Sequence, residues 1–129
     1  MPIEPFIKCS NLPRSLEFYT GVLDFTVVIP PDPDPAAFMS KYALLERQGS
    51  RVHLSQHAGD GAFGSLNYIN VNDLDALYRW FVGRGLAVAA PGACPGVVIE
   101  PVEQSWGMKE FSLADPDGNR LTFGQSLRD

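Results

Sequence analysis

Hydrophobic and polar positions follow the same order twice along this chain of 129 residues, with Asp73-Leu74 standing 62 residues after Asn11-Leu12. In each copy a short alternating segment comes first. A run follows whose apolar residues recur every three or four positions, and then a glycine. Alternation is typical of a strand, and the longer period is typical of a helix. We therefore expect two similar strand–helix modules packed around a shared space, where function should be sought.

The first module is predicted to have the order β-α-β-β-β. Asn11 is a suitable helix N-cap and Pro13 is tolerated in a first turn, so a helix is expected over about residues 12–20. Three closely spaced prolines exclude helix and sheet alike, which makes residues 30–35 a loop. The strands are expected at residues 3–9, 24–29, 39–47 and 51–57, with a turn at 48–50.

The second module repeats this order with less definite boundaries. Asp73 is expected to cap a helix that ends at Gly83–Gly85. The sequence Asp115-Pro116-Asp117-Gly118 predicts a turn, because proline fixes φ and glycine accepts a positive φ. Strands are expected at residues 65–71, 86–90, 97–100, 108–114 and 120–125, and the boundaries within 86–105 are the least defined. The pattern predicts an α+β fold: one domain over residues 1–129, with modules at about 1–60 and 64–129.

Composition narrows the class of protein. An apolar share of 45% and a charged share of 19% are typical of a globular protein. The net charge is −5 and the basic residues are scattered, which argues against nucleic-acid binding. No apolar run is long enough to span a membrane, and the first residues lack the features of a signal peptide. We therefore expect a cytoplasmic protein in which Cys9 and Cys94 are free thiols.

Two segments of the chain resemble one known superfamily. Residues 15–19 (SLEFY), followed by Leu23-Asp24-Phe25, resemble the first helix of the glyoxalase/bleomycin-resistance/extradiol-dioxygenase superfamily, the vicinal oxygen chelate proteins. Residues 106–111 (WGMKEF), followed by 115–119 (DPDGN), resemble its closing hairpin. The resemblance covers nearly the whole chain. It implies two tandem βαβββ modules that form a curved, cup-shaped mixed sheet with the helices outside, often in a homodimer.

The same resemblance implies which residues line the cup. Alternate side chains of a strand point to opposite faces of its sheet, and in this superfamily the inner face holds the ligand. Polarity then selects the inward set on each strand, and the aromatic residues Phe63 and Trp106 could close over a ligand or stack on it. The expected ligand-binding residues are Glu4, His53, Phe63, Tyr68, Trp106, Met108, Glu110 and Thr122.

Metal-dependent members of the superfamily place one ligand on each of four strands. The matching positions in this chain are Glu4, His53, Leu66 and Thr122. Leucine cannot bind a metal ion and threonine is a poor neutral ligand, whereas a catalytic divalent metal usually takes three protein donors. We expect no metal, no other cofactor and no catalytic residue, with Glu4 and His53 as weak candidates that Glu110 could supplement.

The pattern of residues is closest to the bleomycin-resistance branch of the superfamily, which resembles this chain in losing the metal ligands while keeping the fold. The function expected is metal-independent sequestration of a cationic, partly planar antibiotic or metabolite in an aromatic and acidic cup. The alternative is a metal-dependent lyase, isomerase or dioxygenase that uses Glu4 and His53. Either way the expected partner is a small molecule, bound by a homodimer.

Overall fold

Two four-stranded mixed sheets, one from each sequence module, are seen in the computed structural model, which describes residues 3–87 and 99–128. The first sheet has the strand order β1-β4-β3-β2 and the second β5-β8-β7-β6. In each sheet the first strand of the module is parallel to the last, and the other neighbours are antiparallel. The strands are β1 (Phe6–Lys8), β2 (Thr26–Ile29), β3 (Tyr42–Arg47), β4 (Ser50–Ser55), β5 (Leu66–Asn70), β6 (Ile99–Glu103), β7 (Met108–Ala114) and β8 (Arg120–Ser126). The predicted α+β order, β-α-β-β-β twice, is confirmed.

Both predicted helices form where the capping residues indicate. Helix α1 (Leu12–Glu17) begins after Asn11, whose side chain accepts a hydrogen bond from the Arg14 N–H, and it continues into a π-helical turn over Phe18–Val22. Helix α2 (Leu74–Gly83) begins after Asp73, which caps the Ala76 N–H. Among the described residues, no helix is long and apolar enough to cross a membrane.

The hydrophobic core lies on the helix side of both sheets. Apolar strand residues on the helix side are buried on β1, β4, β7 and β8, while their alternate neighbours lie on the opposite face, here called the cup face. One continuous cluster joins these strand residues to side chains from α1 and α2. Its members include Ile7, Leu12, Leu45, Leu54, Leu74, Phe81, Phe111, Leu113, Leu121 and Phe123. Burial therefore agrees with the assignment made from polarity on β1, β4, β7 and β8, whereas Ile69 on β5 is only partly buried.

The turn between β7 and β8 ties the two modules together. The Tyr19 hydroxyl donates to Asp115 Oδ2 at 2.8 Å, which connects helix α1 to this turn. Asn119 is fully buried, and its amide donates both to Asp115 Oδ2 and to the Lys8 carbonyl of β1. Residues 115–119 form a turn as predicted, and they also fix the position of the first module against the second.

Several predicted boundaries differ from the structure for local reasons. The strand expected from Met39 begins at Tyr42, because Phe38–Lys41 form a 3₁₀ turn in which Ser40 bonds back to the Ala37 carbonyl. The strand expected to reach His57 ends at Ser55. The Ser55 hydroxyl accepts from the His57 N–H and donates to Asp60, so side-chain bonds replace the strand ladder there.

The remaining differences concern the second module and the cysteines. β6 occupies residues 99–103, whereas a strand had been expected at 97–100, and the strand expected at 86–90 lies largely outside the described residues. Cys9 is a buried free thiol, and burial is the main cause that raises its pKa to about 11. Cys94 lies outside the described residues.

Candidate ligand-binding site

On the cup face of the first sheet, a hydrogen-bonded chain crosses three strands. His53 on β4 lies between Glu4, just before β1, and Tyr42 on β3. The His53 Nε2 atom is 2.8 Å from Glu4 Oε1, and the His53 Nδ1 atom is 2.6 Å from the Tyr42 hydroxyl. Phe6, the register partner of His53, stacks on the imidazole at 4.3 Å and 3° between the ring planes. The two bonds and the stacking hold the imidazole in one orientation.

The positions of the hydrogens between Glu4, His53 and Tyr42 follow from what each group can donate or accept. A carboxylate only accepts, so the Nε2–H donates to Glu4, and in the neutral imidazole the other ring nitrogen accepts from Tyr42. The polar hydrogens are then used inside the cluster, and the Tyr42 oxygen and the second Glu4 oxygen are left as acceptors. Desolvation and, next, the charge of Glu4 raise the pKa of the Tyr42 phenol, which keeps it protonated at neutral pH.

On the second sheet, a buried carboxylate organises the equivalent part of the cup face. Glu110 on β7 is only 9% exposed, and its Oε2 atom accepts from the Tyr68 hydroxyl at 2.6 Å and from the Trp106 indole N–H at 3.1 Å. Desolvation, followed by the hydrogen bond to Glu110, raises the pKa of Tyr68 to about 12. The Trp106 ring is 61% exposed, so its indole is tethered at one edge while a broad surface stays open to solvent.

A glycine makes room for this arrangement. Gly124 on β8 is the register partner of Glu110, and Tyr68 reaches Glu110 across it. A Cβ atom at Gly124 would lie 1.9 Å from the Tyr68 hydroxyl oxygen. Only glycine therefore allows Tyr68 to lie flat against the strand in its present position.

The four positions that hold metal in metal-dependent relatives do not form a metal-binding set here. Glu4 and His53 bond directly to each other, and the Thr122 hydroxyl bonds to the Ser112 hydroxyl at 2.8 Å. Leu66 is 79% exposed and has no donor atom. Within residues 3–87 and 99–128, no three His, Cys, Asp or Glu side chains come close enough to hold an ion. These residues do not fit the usual divalent metal of the superfamily.

The remaining predicted site residues have other surroundings. Phe63 is exposed on the loop before β5 and lies against β1, where the Lys8 ammonium is 5.5 Å from its ring centroid. Met108, at the start of β7, is partly buried. The structure thus brings together Glu4 with His53, and Tyr68 with Trp106 and Glu110.

Sequence reasoning missed Tyr42, because the predicted strand began three residues too early and its faces were not assigned. The structure places Tyr42 beside the histidine because it lies two residues from Leu44, the register partner of His53, and this register is not evident from the sequence. The stacking of Phe6 on His53 was not predicted from the sequence either.

Comparison with known proteins is consistent with this geometry. A bleomycin resistance determinant encoded on transposon Tn5 is 21% identical, with a TM-score of 0.76 over 98% of both chains. A bleomycin-binding protein solved in complex with bleomycin is 22% identical, with the same TM-score and coverage. The copper(II)-bleomycin complex of the bleomycin-binding protein from bleomycin-producing Streptomyces verticillus is 24% identical, with a TM-score of 0.71 over 95% of this chain and 93% of that one.

These TM-scores establish a shared fold. No curated protein sequence is significantly similar to this chain. The family model of the Glyoxalase/Bleomycin resistance protein/Dioxygenase superfamily matches residues 5–123. The chain therefore belongs to that superfamily.

Proposed function

We propose that this protein binds a cationic, partly planar small molecule on its cup face and sequesters it without a metal ion. The proposal is carried by one observation: in the hydrogen-bonded groups around His53 and around Glu110, the polar hydrogens are bonded inside the protein, so none is left to donate to a ligand. Tyr42, His53, Tyr68 and Trp106 all direct their hydrogens to partners within the protein. Glu4 and Glu110 then offer carboxylate oxygens and negative charge, which favour a ligand with ammonium or guanidinium donors.

The exposed indole of Trp106 supplies the second part of the recognition. A flat cation that stacks on this ring would gain about 1 to 2 kcal/mol. A charge-assisted hydrogen bond to the free oxygen of Glu110 would add about 1.5 to 3 kcal/mol. Because Trp106 donates to the same carboxylate, the stacking surface and the charge lie side by side.

The likeness to proteins solved with bleomycin supports sequestration of an antibiotic of that kind, and hence a role in resistance. Leu66 and Thr122 in the metal-ligand positions support binding without a metal. The direct contact between Glu4 and His53 weighs against the alternative of a lyase or dioxygenase that uses this pair as ligands.

The test is tryptophan fluorescence during titration with metal-free bleomycin. Trp80→Phe leaves Trp106 as the single tryptophan, and we expect that variant to show saturable quenching. Trp106→Ala lacks the reporting indole, so its affinity is measured by calorimetry. It should bind about tenfold more weakly, equivalent to the loss of about 1.4 kcal/mol of stacking, and should unfold at an unchanged temperature because the ring is exposed.

Absence of quenching up to high micromolar bleomycin would contradict the choice of ligand. Early melting of Trp106→Ala would mean that the indole stabilises the fold instead of a ligand. Elemental analysis of protein purified without a tag tests metal independence, and a stoichiometric Ni, Zn, Fe or Mn signal would overturn it.

A further inference from the structure

A cavity lies between the two modules, away from the cup face. It has a volume of about 460 Å³, within the usual size range of small-molecule sites. The end of the β3–β4 hairpin forms one wall, and the start of α2 forms the other. We call it the inter-module groove and define it by six of its lining residues: Phe25, Arg47, Ile69, Asp73, Leu77 and Phe123.

Strand register places this groove on the side of the second sheet opposite to the cup face. Ile69 on β5 pairs with Phe123 on β8, and both line the groove. Their neighbours Tyr68 and Thr122 also pair with each other. They point to the opposite face, because successive residues of a strand point to opposite faces of the sheet. A ligand in the groove would therefore not touch Tyr68 or Thr122 of the cup face.

Arg47 brings a positive charge to this groove. Its Nε atom is closed off from solvent and has no hydrogen-bond partner among the residues that the structure describes, and its guanidinium carbon lies 5.7 Å from the Phe81 ring centroid. Arg51, four residues later, is ion-paired with Glu46 at 3.4 Å, whereas no ion pair of Arg47 is found within the described part of the chain. Because Arg47 lines the groove without an ion pair, its guanidinium group can bind a ligand carboxylate there with the two-pronged geometry that such groups favour.

Asp73 supplies the opposite charge. Its Oδ1 atom accepts from the Ala76 N–H as the cap of α2, which leaves the Oδ2 atom able to accept from a ligand. The floor between the two charges is apolar, because Phe25, Leu77 and Phe123 are each at least nine-tenths buried. One cationic wall, one anionic wall and an apolar floor match a zwitterion with a hydrophobic body.

From this placement we propose that the inter-module groove binds an α-amino acid with an apolar side chain. The carboxylate pairs with Arg47, the ammonium group with Asp73, and the side chain rests on the apolar floor. This site is independent of the ligand proposed for the cup face.

Isothermal calorimetry with three related probes tests the charge assignment. L-phenylalanine should bind with a Kd below about 1 mM, 3-phenylpropionate should bind at least fivefold more weakly, and phenethylamine should not bind measurably. Arg47→Gln should weaken phenylalanine binding at least tenfold. The matched control Arg51→Gln removes an exposed arginine that already has a partner and should leave binding unchanged.

Asp73→Asn separates the role of charge from that of capping. Asparagine is an equally good N-cap, so the helix is retained. The variant should weaken phenylalanine binding and strengthen phenylpropionate binding. If Arg47→Gln lowers stability, Ala76→Leu provides a second variant that narrows the groove from the surface of α2, and it should abolish binding while the protein stays folded.

Three outcomes would overturn the proposal. One is no phenylalanine binding at 5 mM, about five times the expected limit for Kd. Another is equal affinity in Arg47→Gln and Arg51→Gln. The third is tighter binding of phenylpropionate than of phenylalanine by the unmodified protein. Unchanged phenylalanine affinity in Trp106→Ala is expected, which separates this result from the fate of the cup-face proposal.

Discussion

Asn119 is the residue whose role changes most between sequence and structure. Its position after Asp-Pro-Asp-Gly indicates a turn, and a turn forms there. The side chain is nevertheless fully buried, and its Oδ1 atom accepts from the backbone N–H groups of Gly64 and Ser65 and from the Ser65 hydroxyl. With the two bonds that its amide donates, it connects β1, β5 and the β7–β8 turn.

Asn119→Ala should be strongly destabilising. The change removes the partner of the Gly64 and Ser65 N–H groups and of the Lys8 carbonyl, all in part-buried bonds, and an unsatisfied buried group costs about 1 to 3 kcal/mol. We expect a loss of about 3 kcal/mol or more in the free energy of unfolding, measured by urea denaturation. Asn67→Ala is a suitable control, because within residues 3–87 and 99–128 that partly buried amide bonds only to Ser65 and the Arg120 carbonyl. Equal losses in both variants would contradict the connecting role of Asn119.

At the level of elements, the pairing of β7 with β8 determines the second cluster of the cup face. The register places Glu110 opposite Gly124, and Tyr68 enters from the parallel strand β5. The cluster therefore requires three adjacent strands, with a glycine at position 124 of the middle strand β8. The first sheet reaches a comparable arrangement differently: Tyr42 pairs with Ser55 in the register and bonds diagonally to His53.

Gly124→Ala tests whether this packing matters for binding. The new methyl group would force the Tyr68 ring away from Glu110, and the partly exposed ring can swing outward at a cost of about 1 kcal/mol, the value of one hydrogen bond. We expect a small loss of stability and a several-fold loss of affinity for the cup-face ligand. The measurement is a double-mutant cycle with Tyr68→Ala. If Gly124→Ala lowers the free energy of unfolding equally with and without the Tyr68 side chain, the new methyl group does not clash with the Tyr68 ring, which contradicts the prediction.

At the level of the whole molecule, the cup face leaves large apolar side chains open to solvent. Phe6 and Tyr68 are each about half exposed, and Leu66 is nearly fully exposed. Patches of this kind often mark an interface or a ligand site. We propose, in line with the sequence expectation, that a second copy of the chain covers part of this face in a homodimer.

Sedimentation velocity tests the homodimer. We expect a species of about twice the chain mass of 14.1 kDa at micromolar concentration. Leu66→Arg should shift the equilibrium towards the monomer, because it places a charge in the covered apolar surface. Val82→Arg on α2 is the control, since its partly exposed side chain lies on a helix away from the cup face. A monomer in the unmodified protein at tens of micromolar would contradict the proposal.

The sequence by itself determined the order of elements, because alternation, helical period, capping residues and turn residues are local properties. It also indicated the buried apolar residues of β1, β4, β7 and β8, since one face of each of these strands is apolar. The metal-ligand positions occupied by Leu66 and Thr122 were likewise open to prediction, because the resemblance assigned them directly.

The tertiary structure alone decided which polar residues meet. Glu4 and His53 are 49 residues apart, and Tyr68 and Glu110 are 42 apart. Their contacts depend on strand register. An alternating pattern fits equally well after a shift of two residues, so it does not determine which polar residues meet. Arg47 and Asp73 line one groove only because the two modules share a core. Contacts across strands and between modules are the part of this protein that its local sequence pattern does not encode.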